Sequence, residues 1–339
     1  MMEKWSRVMQ IAFVYVGTVV GAGFATGKEI VQFFTQYGVF GAITILLSGI
    51  LFILLGTRMM VMASRLGASS YKQLNDYLFG RTAGSIVSGV MFFVLFGVTS
   101  VMLSGAGAVF DEQLGWSSQL GILLTIVFAF LTMLFGLKGI LSINTIVVPM
   151  MIFFSFSLTA IVFKYIEGIS FSLPTFPAFL SPLSYVAFNL AMAQVVLVPL
   201  ANEVKDERVI RLGGMLGGAF LCLILLSSHI SLLTLPNLLT YSIPMAEIVK
   251  TSFAPLYSFY LVIIYGEIFT SLVAGIFGLQ RQLEAWIRLP KTVLLFIVLC
   301  GLYMISLFGY HALLSVLYPL FGYISLLFIF LLFYRKIPR

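Results

Sequence analysis

Long apolar segments follow one another along almost the whole chain, separated by short polar stretches. A helix that crosses a bilayer needs about 20 mostly apolar residues, so the pattern predicts an all-α integral membrane protein with ten transmembrane helices. Two more polar stretches predict a short interfacial helix at 67–82 and a cap over one face at 235–255. The predicted spans are 7–36, 40–65, 83–110, 118–137, 140–166, 183–204, 209–234, 256–282, 291–310 and 312–334.

The first predicted span is interrupted by glycine. Four glycines lie within residues 17–27, and each costs about 1 kcal/mol in a helix interior relative to alanine. The pattern therefore predicts that the first helix is broken within the membrane. Backbone freed from a helix in lipid is tolerated only where it is buried or lines a cavity. Such breaks are where secondary transporters bind solutes and ions.

The sixth predicted span, 183–204, also carries polar residues and a proline, and we expect a second break there. Ala12-Phe13 in the first span recurs as Ala187-Phe188 in the sixth, which indicates that the two spans are related. The alternative is a chance match, because short apolar sequences resemble one another easily. The residues that interrupt the sixth span are Asn189, Gln194, Pro199 and Asn202.

Five spans in each half is an odd number, so the second half would insert upside down relative to the first. That arrangement is an inverted repeat, with the binding site at the interface of the two halves. The predicted organisation is a first five-helix repeat at 1–166, a connecting loop with three prolines at 167–182, and a second, inverted repeat at 183–339.

Composition and charge agree with a membrane protein. The chain is 61% hydrophobic and 9% charged, against about 25% charged residues in soluble domains. The net charge of +7 does not indicate nucleic acid binding, because the basic residues lie at helix ends and form no patch. With both termini in the cytoplasm, sixteen of the 19 Lys and Arg residues lie inside; only Lys28, Lys164 and Lys250 lie outside.

No sequence motif indicates an enzyme or a transition-metal site. Cys222 and Cys300 lie in apolar segments without metal-ligand spacing, and we expect no disulfide. His229 and His311 have no companion carboxylate or cysteine cluster. Neither His-Glu-x-x-His nor Gly-x-Ser-x-Gly occurs. We therefore expect neither catalysis nor an organic cofactor.

The pattern Gly17-x-x-Val20-Gly21-x-Gly23 resembles the unwound first helix of sodium-coupled LeuT-type transporters. That fold is shared by the neurotransmitter-sodium symporters and the amino acid–polyamine–organocation superfamily, and the whole chain fits its five-plus-five plan. More narrowly, residues 21–30 are similar to those of the YkvI-like bacterial membrane proteins. The resemblance implies a multi-pass protein of the bacterial plasma membrane.

The resemblance also implies a sodium site between the first and eighth spans. In sodium-coupled relatives, carbonyls beside the break meet an adjacent hydroxyl pair on the eighth span. For this sequence, the resemblance implies that the ligands are the carbonyls of Gly17, Val20 and Glu267 and the hydroxyls of Thr270 and Ser271. Some proton-coupled relatives place a lysine of the fifth span there, and 140–163 holds no lysine or arginine. The alternative for both hydroxyls is hydrogen bonding to their own helix.

Glu267 departs from this pattern, because related proteins have a small residue at that position. A carboxylate inside a membrane span is costly unless it is paired or hydrated, and it is a functional candidate by default. Glu267 would strengthen cation binding or carry a proton. Proton-coupled transport of a small organic solute through Glu267 is therefore the alternative to sodium coupling.

The half-helix after the break would direct its free N–H groups at the site, which suits a carboxylate. An amino acid is the expected substrate, although another anion would satisfy the same argument. The small residues could also serve only close helix packing. The candidate substrate-binding residues are Gly21, Ala22, Gly23, Phe24 and Ala25 in the first span, Ser104 in the third, and Asn189 and Gln194 in the sixth.

These observations predict a secondary active transporter that moves a small amino acid with sodium by alternating access. Its expected partners are the solute, the sodium ion and the lipid bilayer. A membrane receptor or sensor that binds a solute without moving it is the competing hypothesis from another class. The short predicted tails argue against a receptor, because they leave no room for a soluble signalling domain.

Overall fold

The computed structural model describes residues 2–165, 176–241, 243–307 and 325–338, and no strand occurs among them. Almost all of these residues are helical, as the continuous apolar segments predict. The helices are α1 Met2–Val19, α2 Ala22–Ala25, α3 Lys28–Phe33, α4 Val39–Leu66, α5 Tyr71–Phe79, α6 Arg81–Gln113, α7 Ser118–Met133, α8 Leu137–Val162, α9 Phe176–Val204, α10 Glu207–Leu232, α11 Pro244–Phe253, α12 Ala254–Trp286, α13 Lys291–Ser306 and α14 Ser325–Tyr334.

Six helices of 26 to 33 residues are long and apolar enough to cross a membrane: α4, α6, α8, α9, α10 and α12. Three shorter apolar helices, α7, α13 and α14, lie at predicted spans. The first predicted span is divided among α1, α2 and α3. Of the tenth predicted span, 312–334, residues 312–324 lie outside the described part of the chain. The all-α membrane fold is confirmed.

The predicted break in the first span is confirmed. Helix α1 ends at Val19, and the four-residue helix α2 follows Val20 and Gly21. A second interruption comes at Gly27, whose φ of +82° lies in the left-handed region that glycine adopts without strain. The glycine-rich stretch thus separates two half-helices.

The predicted break in the sixth span is wrong, because α9 runs without interruption from Phe176 to Val204 and contains Pro182 and Pro199. A proline removes one backbone hydrogen bond, which neighbouring helices can compensate in a membrane protein without unwinding the helix. The segment 183–204 contains no glycine. The residues that favour left-handed or extended backbone in the first span are therefore missing from the sixth.

The predicted non-spanning stretches form short helices, α5 and α11. The predicted loop at 167–182 lies outside the described residues up to position 175, and from Phe176 onward the chain is helical. The loop prediction is therefore wrong for 176–182. Pro177 lies in the first turn of α9, where the missing N–H has no intrahelical partner to lose.

The helices pack in the two-fold pattern that an inverted repeat predicts. The first span (α1) packs on the seventh (α10), and the sixth (α9) packs on the second (α4). The third span (α6) packs on the fourth (α7), and the eighth (α12) packs on the ninth (α13) in the corresponding way. Small residues allow the close contact of α1 with α10, because a Cβ on Gly213 would lie 2.6 Å from the Ile11 Cβ.

Charged side chains are paired at both ends of the bundle. One end joins Lys4 to Asp206, Arg65 to Glu207 and Arg281 to Glu203. At the opposite end, Lys28 Nζ donates to the carbonyl of Tyr241 at 2.9 Å. Lys28, predicted to lie outside, is therefore at the end opposite to Lys4, Arg65 and Arg281, which are predicted to lie inside.

Asp206 caps the N-terminus of α10. Its carboxylate accepts hydrogen bonds from the backbone N–H groups of Arg208 (2.9 Å) and Val209 (3.3 Å) and pairs with Lys4 Nζ at 3.2 Å. The hydrogen bond from Lys4, followed by those from the backbone, holds the pKa of Asp206 below its ordinary value. This carboxylate joins the first span to the seventh.

Replacing Asp206 with alanine should lower the melting temperature equally at pH 7 and pH 5. A carboxyl with a lowered folded pKa contributes stability above its unfolded pKa, about 3.9, and loses it as the pH falls through the folded pKa. The difference between wild type and Asp206→Ala should therefore shrink only below about pH 4. Thermal unfolding of the purified protein from pH 3 to 8 measures it. A difference that disappears between pH 5 and 7 would contradict this assignment.

Candidate functional site

Ser271 of the eighth span touches the break in the first span. Its hydroxyl donates to the carbonyl oxygen of Val20 and lies 3.4 Å from that of Gly17. These carbonyls lie at the C-terminal end of α1, where C=O groups lack intrahelical partners. The structure therefore brings three of the five predicted sodium ligands into direct contact.

The other two predicted ligands, Thr270 and Glu267, lie on the same buried face of α12. The Thr270 hydroxyl donates to the Glu267 carbonyl at 2.9 Å, and the two residues are 1% and 5% exposed. The Thr270 hydroxyl thus bonds to its own helix, as buried hydroxyls in helices commonly do. Of the two predicted hydroxyl ligands, Ser271 is the one that contacts the first span.

Asn144 of α8 also lies at this break, and the sequence analysis did not single it out. Its Nδ2 donates to the Ile140 carbonyl at 2.8 Å, and its Oδ1 is buried without a hydrogen-bond partner among the described residues. A Cβ built on Gly17 would overlap this Oδ1 atom. The amide oxygen therefore lies directly against Gly17. One signal was available, since Asn144 is the only Asn, Asp, Glu, Lys or Arg in 140–163.

A small cavity of about 50 Å³ lies beside the break, between α1, α6, α9 and α12. Its volume corresponds to a few water molecules. Polar residues line it from all four of these helices, and apolar residues line the rest. The lining combines the predicted residues Gly21, Asn189 and Ser271 with Thr99, Met102 and Met192, which the sequence did not single out.

Three of the predicted substrate-binding residues in α2 lie at or next to a cavity. The Ala22 N–H faces the Met102 sulfur at 3.4 Å, and Met102 lines the cavity. Phe24 and Ala25 line a second cavity, together with Glu267. The Met102 side chain therefore contacts both Ala22 and the first cavity.

Ser104 and Gln194 lie outside both cavities. Ser104 is buried in α6. The Gln194 side chain donates to the Ala191 carbonyl at 3.0 Å and to the Met91 sulfur at 3.4 Å. The structure thus places Gln194 between α9 and α6, while Asn189 of the same helix reaches the cavity.

Two buried polar residues stand out near the first span. Glu29 is 7% exposed, and its carboxylate occupies the position where a Cβ on Gly23 would lie. The sequence placed Glu29 at a helix end, so its burial is a feature of the tertiary structure. His229 is 1% exposed, and its Nδ1 lies 3.0 Å from the Thr35 hydroxyl. His311 lies outside the described residues.

No protein-family model matches the chain. It is 47% identical over 343 residues to the uncharacterized membrane protein YkvI of Bacillus subtilis (strain 168), covering 100% of this chain and 99% of YkvI.

Solved transporters share the architecture at low sequence identity. Mhp1, a nucleobase-cation-symport-1 family transporter solved in a closed conformation with bromovinylhydantoin bound, superposes with a TM-score of 0.57 at 11% identity over 94% of this chain and 74% of Mhp1. A manganese transporter variant from Eremococcus coleocola superposes with a TM-score of 0.61 at 14% identity over 96% and 76% of the two chains. These likenesses establish a LeuT-type fold. Because the chain is 47% identical to YkvI over its whole length, it belongs to the family of YkvI-like membrane proteins.

Proposed function

We propose that this protein is a secondary active transporter that moves a small amino acid together with sodium. The observation that carries the proposal is the contact of the Ser271 hydroxyl with the Gly17 and Val20 carbonyls at a break in the first span. The LeuT-type fold supports it, because broken helices in this fold expose backbone groups to solutes and ions.

The oxygen atoms at this break suit sodium as the coupled ion. Hard cations take carbonyl, hydroxyl and amide oxygens, and all three kinds are present in Gly17 and Val20, Ser271, and Asn144. The Asn144 Oδ1 atom has no hydrogen-bond partner within the described part of the chain. It is therefore available as a further ligand from the fifth span, where no lysine competes with the ion.

The cavity chemistry supports a zwitterionic solute. Asn189 uses its Nδ2 to bond the Tyr185 carbonyl at 2.9 Å, so its amide oxygen remains as an acceptor for a substrate ammonium. Among the described residues, the Ala22 N–H has the Met102 sulfur as its hydrogen-bond partner, and a thioether is a weak acceptor. A substrate carboxylate that displaced Met102 would provide a stronger one.

The packing supports alternating access by a moving bundle. The first, second, sixth and seventh spans contact one another: α1 packs on α10 and α9, and α4 packs on both of those helices. Rocking of this four-helix unit would carry the first-span carbonyls past Ser271. The ion would then be bound in one orientation and released in the other.

The double variant Thr270→Ala with Ser271→Ala should lose sodium-stimulated uptake. Two oxygen ligands are removed, and each lost ligand that costs about 1.4 kcal/mol weakens ion binding about tenfold. The measurement is uptake of amino acids into vesicles that contain the purified protein, with an inward sodium gradient or with potassium. Thermal-shift screening against amino acids selects the solute, because a ligand of the folded state raises its melting temperature.

Thr145→Ala is the matched control. The Thr145 hydroxyl is exposed on α8 and bonds only its own helix, to the Leu141 carbonyl, so this variant should transport normally. Sodium-independent uptake that survives the double substitution would refute the coupling site. Solute binding without net flux in the wild type would favour the receptor hypothesis.

A further inference from the structure

A second cavity, separate from the first, is lined in part by Glu267. It lies among α2, α8, α10 and α12 and has a volume of about 20 Å³. That is room for one water molecule or one small ion. Four hydroxyl groups from three helices line it together with Glu267: Ser155, Ser228, Ser231 and Tyr260.

The Glu267 carboxylate has no compensating charge in the described structure. The side chain is 5% exposed, and its Oε2 atom has no hydrogen-bond partner in that part of the chain. None of the six ion pairs between described residues includes it. An unpaired carboxylate inside a membrane protein is costly, so a positive charge in the adjoining cavity would stabilise it.

Three of the four hydroxyls around the cavity, those of Ser155, Ser231 and Tyr260, donate their hydrogens to other groups. Ser155 donates to the Ser227 hydroxyl at 3.1 Å, and Ser231 donates to the Ser227 carbonyl at 3.2 Å. The Tyr260 hydroxyl donates to the Ala25 carbonyl at 3.1 Å. The oxygen lone pairs of these groups remain, and hydroxyl oxygens of this kind are ligands for hard cations.

We propose that this cavity is a second cation site, in which the Glu267 carboxylate and the hydroxyls of Ser155, Ser228 and Ser231 bind a sodium ion. One carboxylate neutralises one positive charge, which favours a monovalent ion over a divalent one. Glu267 would then belong to both sites, because its carbonyl is a predicted ligand of the first and the residue lines the second cavity. The ion's role as a second coupling ion rests on the proposed function, whereas its binding does not.

Equilibrium binding of radioactive sodium to the purified full-length protein tests the site. The wild type should bind two ions per chain at pH 7.5. Glu267→Gln should bind one, and the Thr270→Ala, Ser271→Ala variant should also retain one ion, in the second site. The triple variant should bind none.

A paired serine variant covers the case in which Glu267→Gln does not fold. Ser155→Ala with Ser228→Ala removes two ligand hydroxyls but no charge. The double substitution should lower the affinity for one of the two ions about tenfold or more. Ser157→Ala on the same helix is the control, because Ser157 is not among the residues that line the cavity. That variant should bind two ions with wild-type affinity.

The proposal would be overturned if Glu267→Gln still bound two sodium ions per chain with wild-type affinity. It would also fail if the wild type bound one ion that the Thr270→Ala, Ser271→Ala variant abolished. An unchanged sodium count with altered pH dependence of uptake in Glu267→Gln would identify a proton site instead. Two bound ions without any solute uptake would leave the cation site standing and refute only the transporter proposal.

Discussion

Alanine at position 17 is expected to disable the protein more severely than any other single methyl addition in the first span. The new Cβ would overlap the Asn144 Oδ1 atom and would lie 2.8 Å from the Asn144 Cγ and 3.2 Å from a Val148 methyl. Helix α8 would have to move away from α1, at a cost of about 1–3 kcal/mol for overpacking. This movement would separate the Gly17 carbonyl from the Asn144 amide oxygen, and sodium-driven uptake should fall because both are proposed ligands.

Melting temperature and sodium-driven uptake of Gly17→Ala, Asn144→Ala and the double variant measure this effect. The double variant should recover much of the lost stability, because removal of the amide makes room for the new methyl. It should not recover sodium affinity if Asn144 supplies a ligand. Gly89→Ala is the control, since nothing lies within 4 Å of a Cβ there. Gly17→Ala with near-wild-type stability and uptake would show that Asn144 does not pack against Gly17.

Residue size at position 21 is expected to decide whether solute enters. Gly21 lines the first cavity and has φ −124°, an extended conformation open to any residue. A Cβ there would lie 3.3 Å from the Met102 Cε atom and 3.6 Å from the Ser271 Oγ atom. Gly21→Ala should therefore keep most of its uptake activity, because the flexible end of the Met102 side chain can move away from the new methyl group. Gly21→Phe should fill the cavity of about 50 Å³ and abolish uptake.

The size series separates a cavity role from a packing role. If Gly21 serves only helix packing, melting temperature and uptake should decline together from alanine to phenylalanine. If it lines the solute site, uptake should collapse while sodium binding persists, because the Val20 and Ser271 oxygens are unchanged. Uptake in Gly21→Phe equal to that of Gly21→Ala would place the solute elsewhere.

The break in the first helix could be predicted because its cause is local. Glycines at 17, 21, 23 and 27 lower helix stability wherever the segment packs, and the structure separates α1 from α2 within this stretch. The contact of Ser271 with the break could be anticipated only through the resemblance to LeuT-type transporters, because the two positions are far apart in the sequence.

The sixth span shows where local signals are insufficient. Pro199 and the amides Asn189 and Gln194 suggested a break, yet α9 is continuous. Both amides donate to carbonyls of their own helix, of Tyr185 and Ala191. Whether a proline interrupts a membrane helix depends on the neighbouring helices, and the sequence of the segment does not contain that information.

The sequence by itself determined that this protein is a helical membrane protein with a first span broken at glycine, because hydropathy and backbone preference act locally. Only the tertiary structure decided which polar groups meet. Asn144 lies against Gly17, and Glu267 lines a cavity together with serines of α8 and α10, because helix rotation determines which side chains share a cavity. These helices carry apolar residues on every face, so hydrophobic periodicity could not assign their rotation.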